Sequence, residues 1–181
     1  MAQPSPDVLE RARRVRLVLL DVDGVLTDGR LWFGPGGDEG RAFHVRDGSG
    51  IALARRAGLA VGILSGRQVE AVRRRAEELR LEEIHQGHRV KEPVWDEILR
   101  RRGLDDAEVA YMGDDFLDLP LLRRAGLAAV PADAAAVARA ASHWVARAAG
   151  GAGCVRELLE VIVSAQGSWD AEIERFFRDQ R

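Results

Sequence analysis

Leu17-Val18-Leu19-Leu20-Asp21-Val22-Asp23-Gly24-Val25-Leu26-Thr27-Asp28-Gly29 ends an apolar run on two carboxylates spaced two residues apart. In an extended chain residues i and i+2 project to the same side, so Asp21 and Asp23 reach one small volume just past the carboxyl edge of a sheet. Open α/β sheets bind their ligands at that edge. One carboxylate can attack phosphorus and carry an acyl-phosphate while the other handles the leaving-group proton. Gly24 lets the backbone turn away with no side chain over the phosphate. Taken alone, the same residues also describe a strand followed by an Asx-type turn.

A second apolar run, Leu59 to Leu64, ends in Ser65-Gly66-Arg67 and leads into a helical pattern. A hydroxyl and free amides at a helix start suit a phosphate oxygen. Lys91 follows, and then Val109-Ala110-Tyr111-Met112 runs into Gly113-Asp114-Asp115-Phe116-Leu117-Asp118, which sets fresh carboxylates at the end of another strand. Short apolar runs at 16–20, 60–64, 83–85, 109–112, 128–130 and 143–145 alternate with helical stretches at 49–56, 68–79, 94–101, 117–124, 134–140 and 154–165. That alternation predicts an α/β, Rossmann-like fold, a mostly parallel sheet with helices on both faces. Arg30 to Phe33 and Gly40 to Val45 flank the turn-rich Gly34-Pro35-Gly36-Gly37-Asp38-Glu39, which predicts a projecting β-hairpin inserted over 29–45. Trp32 and Phe33 on it have no evident core to join, the pattern of a subunit contact. The expected organisation is one domain over 1–165 and a C-terminal tail over 166–181, where Trp169, Ile173, Phe176 and Phe177 form a helical apolar stripe.

A chain of 181 residues with 46% hydrophobic content can bury one good core. The net charge of -2, with arginines interspersed among acids, argues against a nucleic-acid partner. The run Arg73-Arg74-Arg75, for instance, stands at helical spacing from Glu70, Glu77 and Glu78. No apolar run approaches a membrane span, and residues 1–14 lack the apolar centre of a signal peptide. Cys154 is the sole cysteine, which excludes an internal disulfide and suits a cytoplasmic location. No His/Cys cluster has zinc-site spacing. Among 27 basic residues only Lys91 is a lysine, and Thr27 is the single threonine. Where arginine serves everywhere else, a lone lysine marks a position at which a compact ammonium cannot be replaced by a planar fork.

Strand-Asp-x-Asp, strand-Ser, a lone Lys and strand-Gly-Asp-Asp-x-x-Asp, in that order, resemble the four motifs of the haloacid dehalogenase superfamily of phosphatases. Leu79 to Lys91 leaves no room for the inserted cap common there, so the resemblance implies a member without a cap domain. Ala42-Phe43-His44-Val45-Arg46-Asp47-Gly48-Ser49-Gly50-Ile51, Gln86-Gly87 ahead of Lys91, and Gly150-Gly151-Ala152-Gly153-Cys154-Val155-Arg156-Glu157 narrow it. Over about residues 14–166 the chain resembles the 3-deoxy-D-manno-octulosonate 8-phosphate phosphatase family. The resemblance implies a Mg²⁺-dependent homotetramer that releases phosphate and the free eight-carbon sugar acid used in lipopolysaccharide.

By motif position the resemblance makes Asp21 the nucleophile and Asp23 the acid that protonates the sugar oxygen and then activates water. It sets Mg²⁺ between the Asp21 carboxylate, the main-chain carbonyl of Asp23 and Asp114. Ser65 and Lys91 hold phosphate oxygens in this scheme. Asp118 orients the metal waters or Lys91, with Asp115 the alternative unless it only caps the next helix. Around the substrate the resemblance gathers Asp23, His44, Val45, Arg46, Asp47, Gly48, Ser65, Gly66, Arg67, Arg75 and Lys91. Arg67 favours the eight-carbon sugar. Ala52 stands where the octulosonate enzymes can carry another arginine, and the segments Val61 to Leu64 and Arg73 to Glu77 also resemble the phosphatases of 2-keto-3-deoxynononate 9-phosphate, so that substrate stays the alternative. Arg156 either reaches a site or packs a helix start, and His88 either touches substrate or lies on the surface. A capless enzyme needs its substrate covered by neighbouring subunits or by the tail. Two further classes stay open: a non-catalytic binding protein on this fold, and a phosphotransferase, which would need a cap to exclude water.

Overall fold

The computed structural model describes residues 4–167 and 169–179. Residues 1–3 of the expected domain and 168, 180 and 181 of the expected tail lie outside that description.

β1 (Leu17–Leu20) is buried along its whole length, because a parallel sheet covered on both faces leaves no strand residue in water. It pairs with β4 (Ala60–Leu64) on one side and β6 (Val109–Met112) on the other, with Leu20 opposite Ile63 and Met112. β5 (Glu83–His85) lies beyond β4, and β7 (Leu127–Val130) and β8 (Trp144–Val145) extend the other edge, in the order β5-β4-β1-β6-β7-β8. All five pairings are parallel. The chain winds outward from β1 to β5 and then returns to β6. The topological switch therefore falls between β1 and β6, where sheets of this kind open a ligand crevice.

Alternation along the strands splits the core in two. Leu17, Leu19, Val109 and Tyr111 pack with α4 (Glu92–Arg102), α5 (Leu119–Arg124) and α6 (Ala136–Ala140). Val18, Leu20, Ala110 and Met112 pack with α1 (Pro6–Arg14), α2 (Val45–Arg56), α3 (Glu70–Glu78) and α7 (Cys154–Ala165). Helices on both faces of a parallel sheet are the architecture that the β/α alternation predicts.

The departures have local causes. α1 falls in the N-terminal segment for which the sequence pattern predicts no element, yet Ser5 accepts the Val8 N–H at 3.3 Å, Pro6 opens the helix, and Val8 and Ala12 are buried. α2 starts at Val45 rather than 49 because the His44 ring accepts the Arg46 N–H at 3.2 Å, a cap hidden by the helix-weakening Gly48 and Gly50. Residues 116–118 make a separate 3₁₀ turn ahead of α5. The hairpin is short: β2 (Trp32–Phe33) pairs antiparallel with β3 (Glu39–Gly40), and Trp32 and Phe33 are 60% and 65% exposed. α8 (Trp169–Arg178) lies back on its own domain. Trp169 is buried beneath the Arg156 guanidinium, 4.7 Å from the ring centroid, Ile173 joins the core, and Phe177 stays exposed. Among the described residues no helix is long and apolar enough to cross a membrane.

Candidate active site

Asp21 extends β1 by one residue, its N–H donating to the Met112 carbonyl at 2.9 Å. The chain then turns through Asp23, which is extended, and Gly24 at φ 88°. A Cβ on Gly24 would overlap the Asp114 carboxylate, so only glycine lets the loops after β1 and β6 approach this closely. The single threonine ties the turn together: its hydroxyl donates to the Val22 carbonyl and accepts from the Gly24 and Gly29 amides at 3.3–3.4 Å.

A cleft of about 540 Å³ opens here, lined by Asp21, Asp23, Ser65, Lys91, Asp114 and Asp118 among others. Clefts of similar size elsewhere, one beside Arg16 and Arg102 at the opposite sheet edge and one between α1 and α7, hold no comparable cluster. At the floor, Lys91 is buried with its Nζ 3.0 Å from Asp21 Oδ1 and 2.7 Å from Asp118 Oδ1. It also donates to the Tyr111 hydroxyl at 2.9 Å, and that hydroxyl donates to Asp118 at 2.6 Å. The second oxygen of Asp118 accepts the Asp114 and Asp115 amides. Four donors thus fix Asp118, and through it Lys91.

Burial pushes the Asp21 carboxyl up to about 6, even though Lys91 pulls it down; the Asp118 charge adds to the rise. Asp114 goes up to about 7, first from burial and then from Asp21, Asp118 and Asp115. Burial opposes the charge on Lys91, but Asp21 and Asp118 outweigh it and hold the ammonium above its usual pKa. Asp21, Asp114 and Asp118 each bring a carboxylate oxygen to within 4.8 Å of the others. One ammonium cannot balance three carboxylates. The donor set is all oxygen, which fits a hard divalent cation such as Mg²⁺. Because Asp118 is already committed to Lys91, Tyr111 and two amides, Asp21 and Asp114 are the side chains left to hold it.

At the mouth the arrangement differs. The carboxylate of Asp23 accepts from Arg41 Nε at 2.6 Å rather than joining that cluster. Arg67 is exposed and grips Glu39 of the hairpin at 2.7 and 2.9 Å, with its Nε 3.8 Å from Asp23. Ser65 is buried at the end of β4, its hydroxyl accepting the Arg67 amide, with Gly66 beside it in the cleft.

Other expected residues lie elsewhere. Asp115 caps the 3₁₀ turn by accepting the Phe116 amide at 2.7 Å. Asp47 does not line the cleft: it is buried and accepts the Arg156 amide at 2.8 Å at the start of α7. Gly48 is buried against Arg75, whose guanidinium occupies the place of a Cβ, so these two meet each other outside the cleft. His44 caps α2, and Val45 and Arg46 are exposed beside it without lining the cleft. Arg156 packs on Trp169 and Glu160, and His88 lies on the surface. Sequence reasoning missed Tyr111, Glu39, Arg41 and Arg89. Tyr111 alone left a signal, as the only tyrosine, two residues before the Gly-Asp-Asp motif.

Carboxylates on either side of the β1/β6 switch, with a buried lysine behind them, are the design of a haloacid dehalogenase superfamily hydrolase, and solved structures agree. A Legionella pneumophila protein described as a superfamily hydrolase of subfamily III A superposes with a TM-score of 0.92 and 35% identity, covering 95% of this chain and 94% of that one. No family model matches the chain. It is nevertheless 39% identical over 166 residues to the 3-deoxy-D-manno-octulosonate 8-phosphate phosphatase KdsC of Escherichia coli K12, covering 92% of this chain and 88% of the relative. The phosphatase of that name from Moraxella catarrhalis, solved with magnesium, phosphate and 3-deoxy-D-manno-octulosonate, gives a TM-score of 0.91 at 35% identity, with 94% and 98% covered. The chain belongs to the 3-deoxy-D-manno-octulosonate 8-phosphate phosphatase family.

Proposed function

We propose that this protein is a Mg²⁺-dependent phosphatase that converts 3-deoxy-D-manno-octulosonate 8-phosphate to the free sugar acid and phosphate. The observation that carries the reading is Lys91 Nζ lodged 3.0 Å from Asp21, beside Asp114, in a chain so similar to phosphatases of that name. Asp21 attacks phosphorus, the bond to the sugar oxygen breaks, and Asp23 protonates that oxygen as it leaves. Asp23 then takes a proton from water, which attacks the aspartyl-phosphate and releases phosphate. Lys91 and Ser65 stabilise the charge on the transferring oxygens. Asp21, Asp114 and the main-chain carbonyl of Asp23 would hold Mg²⁺, which would neutralise charge between the carboxylates and the anionic substrate. Asp118 positions Lys91 through the contacts described above.

Arg67 and Gly66 border the sugar. His44, Val45, Arg46 and Arg75 lie outside this chain's own cleft, and the exposure of Val45 and Arg46 supports their service at a neighbour's, with Gly48 packed beneath Arg75. The open mouth and the exposed Trp32 and Phe33 support a homotetramer in which subunits cover one another's substrate. Cys154, the sole cysteine and a buried free thiol, supports a cytoplasmic setting through its cysteine usage.

The test is phosphate release with Mg²⁺ from the eight-carbon and nine-carbon keto-deoxy sugar phosphates side by side, with Asp21→Asn as the blank. A higher kcat/KM on the octulosonate is expected. Preference for the nononate would move the substrate and keep the mechanism, and release from neither would sink the phosphatase reading. Light scattering of Trp32→Ser/Phe33→Ser should show a smaller assembly than the unaltered protein; an unchanged mass would remove the hairpin from the interface.

A further inference from the structure

We infer that Arg41 is a positioning residue for this reaction: arriving from the hairpin, it clamps one oxygen of Asp23 so that the other is presented to the leaving sugar oxygen. The inference rests on the phosphatase reading above.

Asp23 follows the central strand on a turn in open reach of water, its side chain 22% exposed, and a carboxylate so placed is free to rotate about two side-chain bonds. Arg41 removes that freedom. Its side chain is fully covered, and each guanidinium nitrogen has a separate anchor. Nε donates to Asp23 Oδ1 at 2.6 Å, Nη1 to the Gly40 carbonyl at 2.9 Å, and Nη2 to Glu39 Oε2 at 3.1 Å. A planar fork held at three points is a brace, and the pairing of Phe33 with Glu39 and of Trp32 with Gly40 anchors the chain immediately before it. Arg67 faces the other oxygen, its Nε 3.8 Å from Asp23 Oδ2, beyond hydrogen-bond distance and on an exposed side chain, so it leaves that oxygen free. With Oδ1 occupied, Oδ2 is the oxygen left to carry the proton. As Asp21 forms its bond to phosphorus, the phosphorus–oxygen bond to the sugar breaks with its electron pair on that oxygen, and the Asp23 proton moves onto it.

The experiment compares kcat/KM on the octulosonate phosphate with kcat/KM on 4-nitrophenyl phosphate, in Mg²⁺, for the unaltered protein, Arg41→Ala, Arg41→Lys and Glu39→Gln. This ratio reports the first half-reaction, in which an alkoxide needs a proton and a nitrophenolate does not. General acids contribute about 10²–10⁴-fold, so Arg41→Ala should lose on the order of tenfold or more on the sugar phosphate and about threefold or less on the aryl phosphate. Arg41→Lys should recover part of the sugar-phosphate loss, and Glu39→Gln should show the same selective loss at smaller size. Equal losses on both substrates, or none on either, would overturn the inference. Should Arg41→Ala not fold, the lysine and Glu39→Gln variants carry the comparison. Absence of turnover in the unaltered protein would instead defeat the phosphatase reading itself.

Discussion

The floor and the mouth of the cleft are built from the same kinds of charge and behave as opposites. At the floor, Lys91, Asp118 and Tyr111 are buried and meet at 2.6–2.9 Å, on strands and turns that the core holds rigid. At the mouth, Glu39 and Arg67 meet at similar distances, yet Arg67 is exposed and Glu39 rides on a hairpin of two-residue strands. A charge contact deep in the protein is barely screened, whereas one at the surface competes with water and salt. Equal lengths therefore do not mean equal strength. The floor holds the attacking carboxylate and its cation, and the mouth aims the acid, selects and covers.

The sharpest break of that contrast is Asp21→Asn. The change is nearly isosteric and removes the proposed nucleophile, so phosphate release should fall on the order of 10⁴-fold or more with the thermal midpoint preserved. Retained turnover would end the assignment of Asp21. Lys91→Arg comes next. A fork in place of an ammonium cannot fit between Asp21, Asp118 and Tyr111 without displacing them, and the loss of one aimed donor predicts about 10²–10³-fold lower kcat. Near-normal kcat would mean that the floor tolerates any cation. At the mouth, Arg67→Ala should raise KM about tenfold, worth about 1.4 kcal/mol, and leave kcat within about threefold. A collapse of kcat there would erase the distinction between the two regions.

The smallest effect concerns stability and pH. Unfolded, Asp21 and Asp114 titrate near 3.8; folded and metal-free, their carboxyls are raised to about 6 and about 7. At these two sites the folded protein therefore holds protons that the unfolded chain has released, so the stability they contribute is fully present below about pH 4 and is lost as pH rises through about 7. In chelator, the thermal midpoint should fall between about pH 5 and pH 8, and Mg²⁺ should reverse most of that fall, because it binds the ionised carboxylates of the folded state. Asp114→Asn should flatten the metal-free slope. A midpoint in chelator that climbs with pH would contradict the burial of these carboxyls.

Asp21, Asp23, Ser65 and Asp114 were legible in the sequence because each stands beside a strand end, and the apolar runs that make strands are local signals. Lys91, at the start of a helix, was visible through composition and its place in the order of motifs. Arg41 was not, since 18 residues and a hairpin separate it from Asp23 and nothing local marks their meeting. Asp47 shows the converse. Its motif points to substrate, while the packing of α2 against α7 turns it into a helix cap.

The sequence by itself determined the β/α alternation, the strand-end carboxylates, the absence of a cap between Leu79 and Lys91, and hence the class of chemistry, because periodicity and motif spacing are properties of neighbours along the chain. Only the tertiary structure decided which carboxylate Lys91 pairs with, that Asp23 turns to Arg41, and that α8 lies on its own domain. Those choices depend on burial and on distances between residues far apart in the chain, which are settled only when the elements pack.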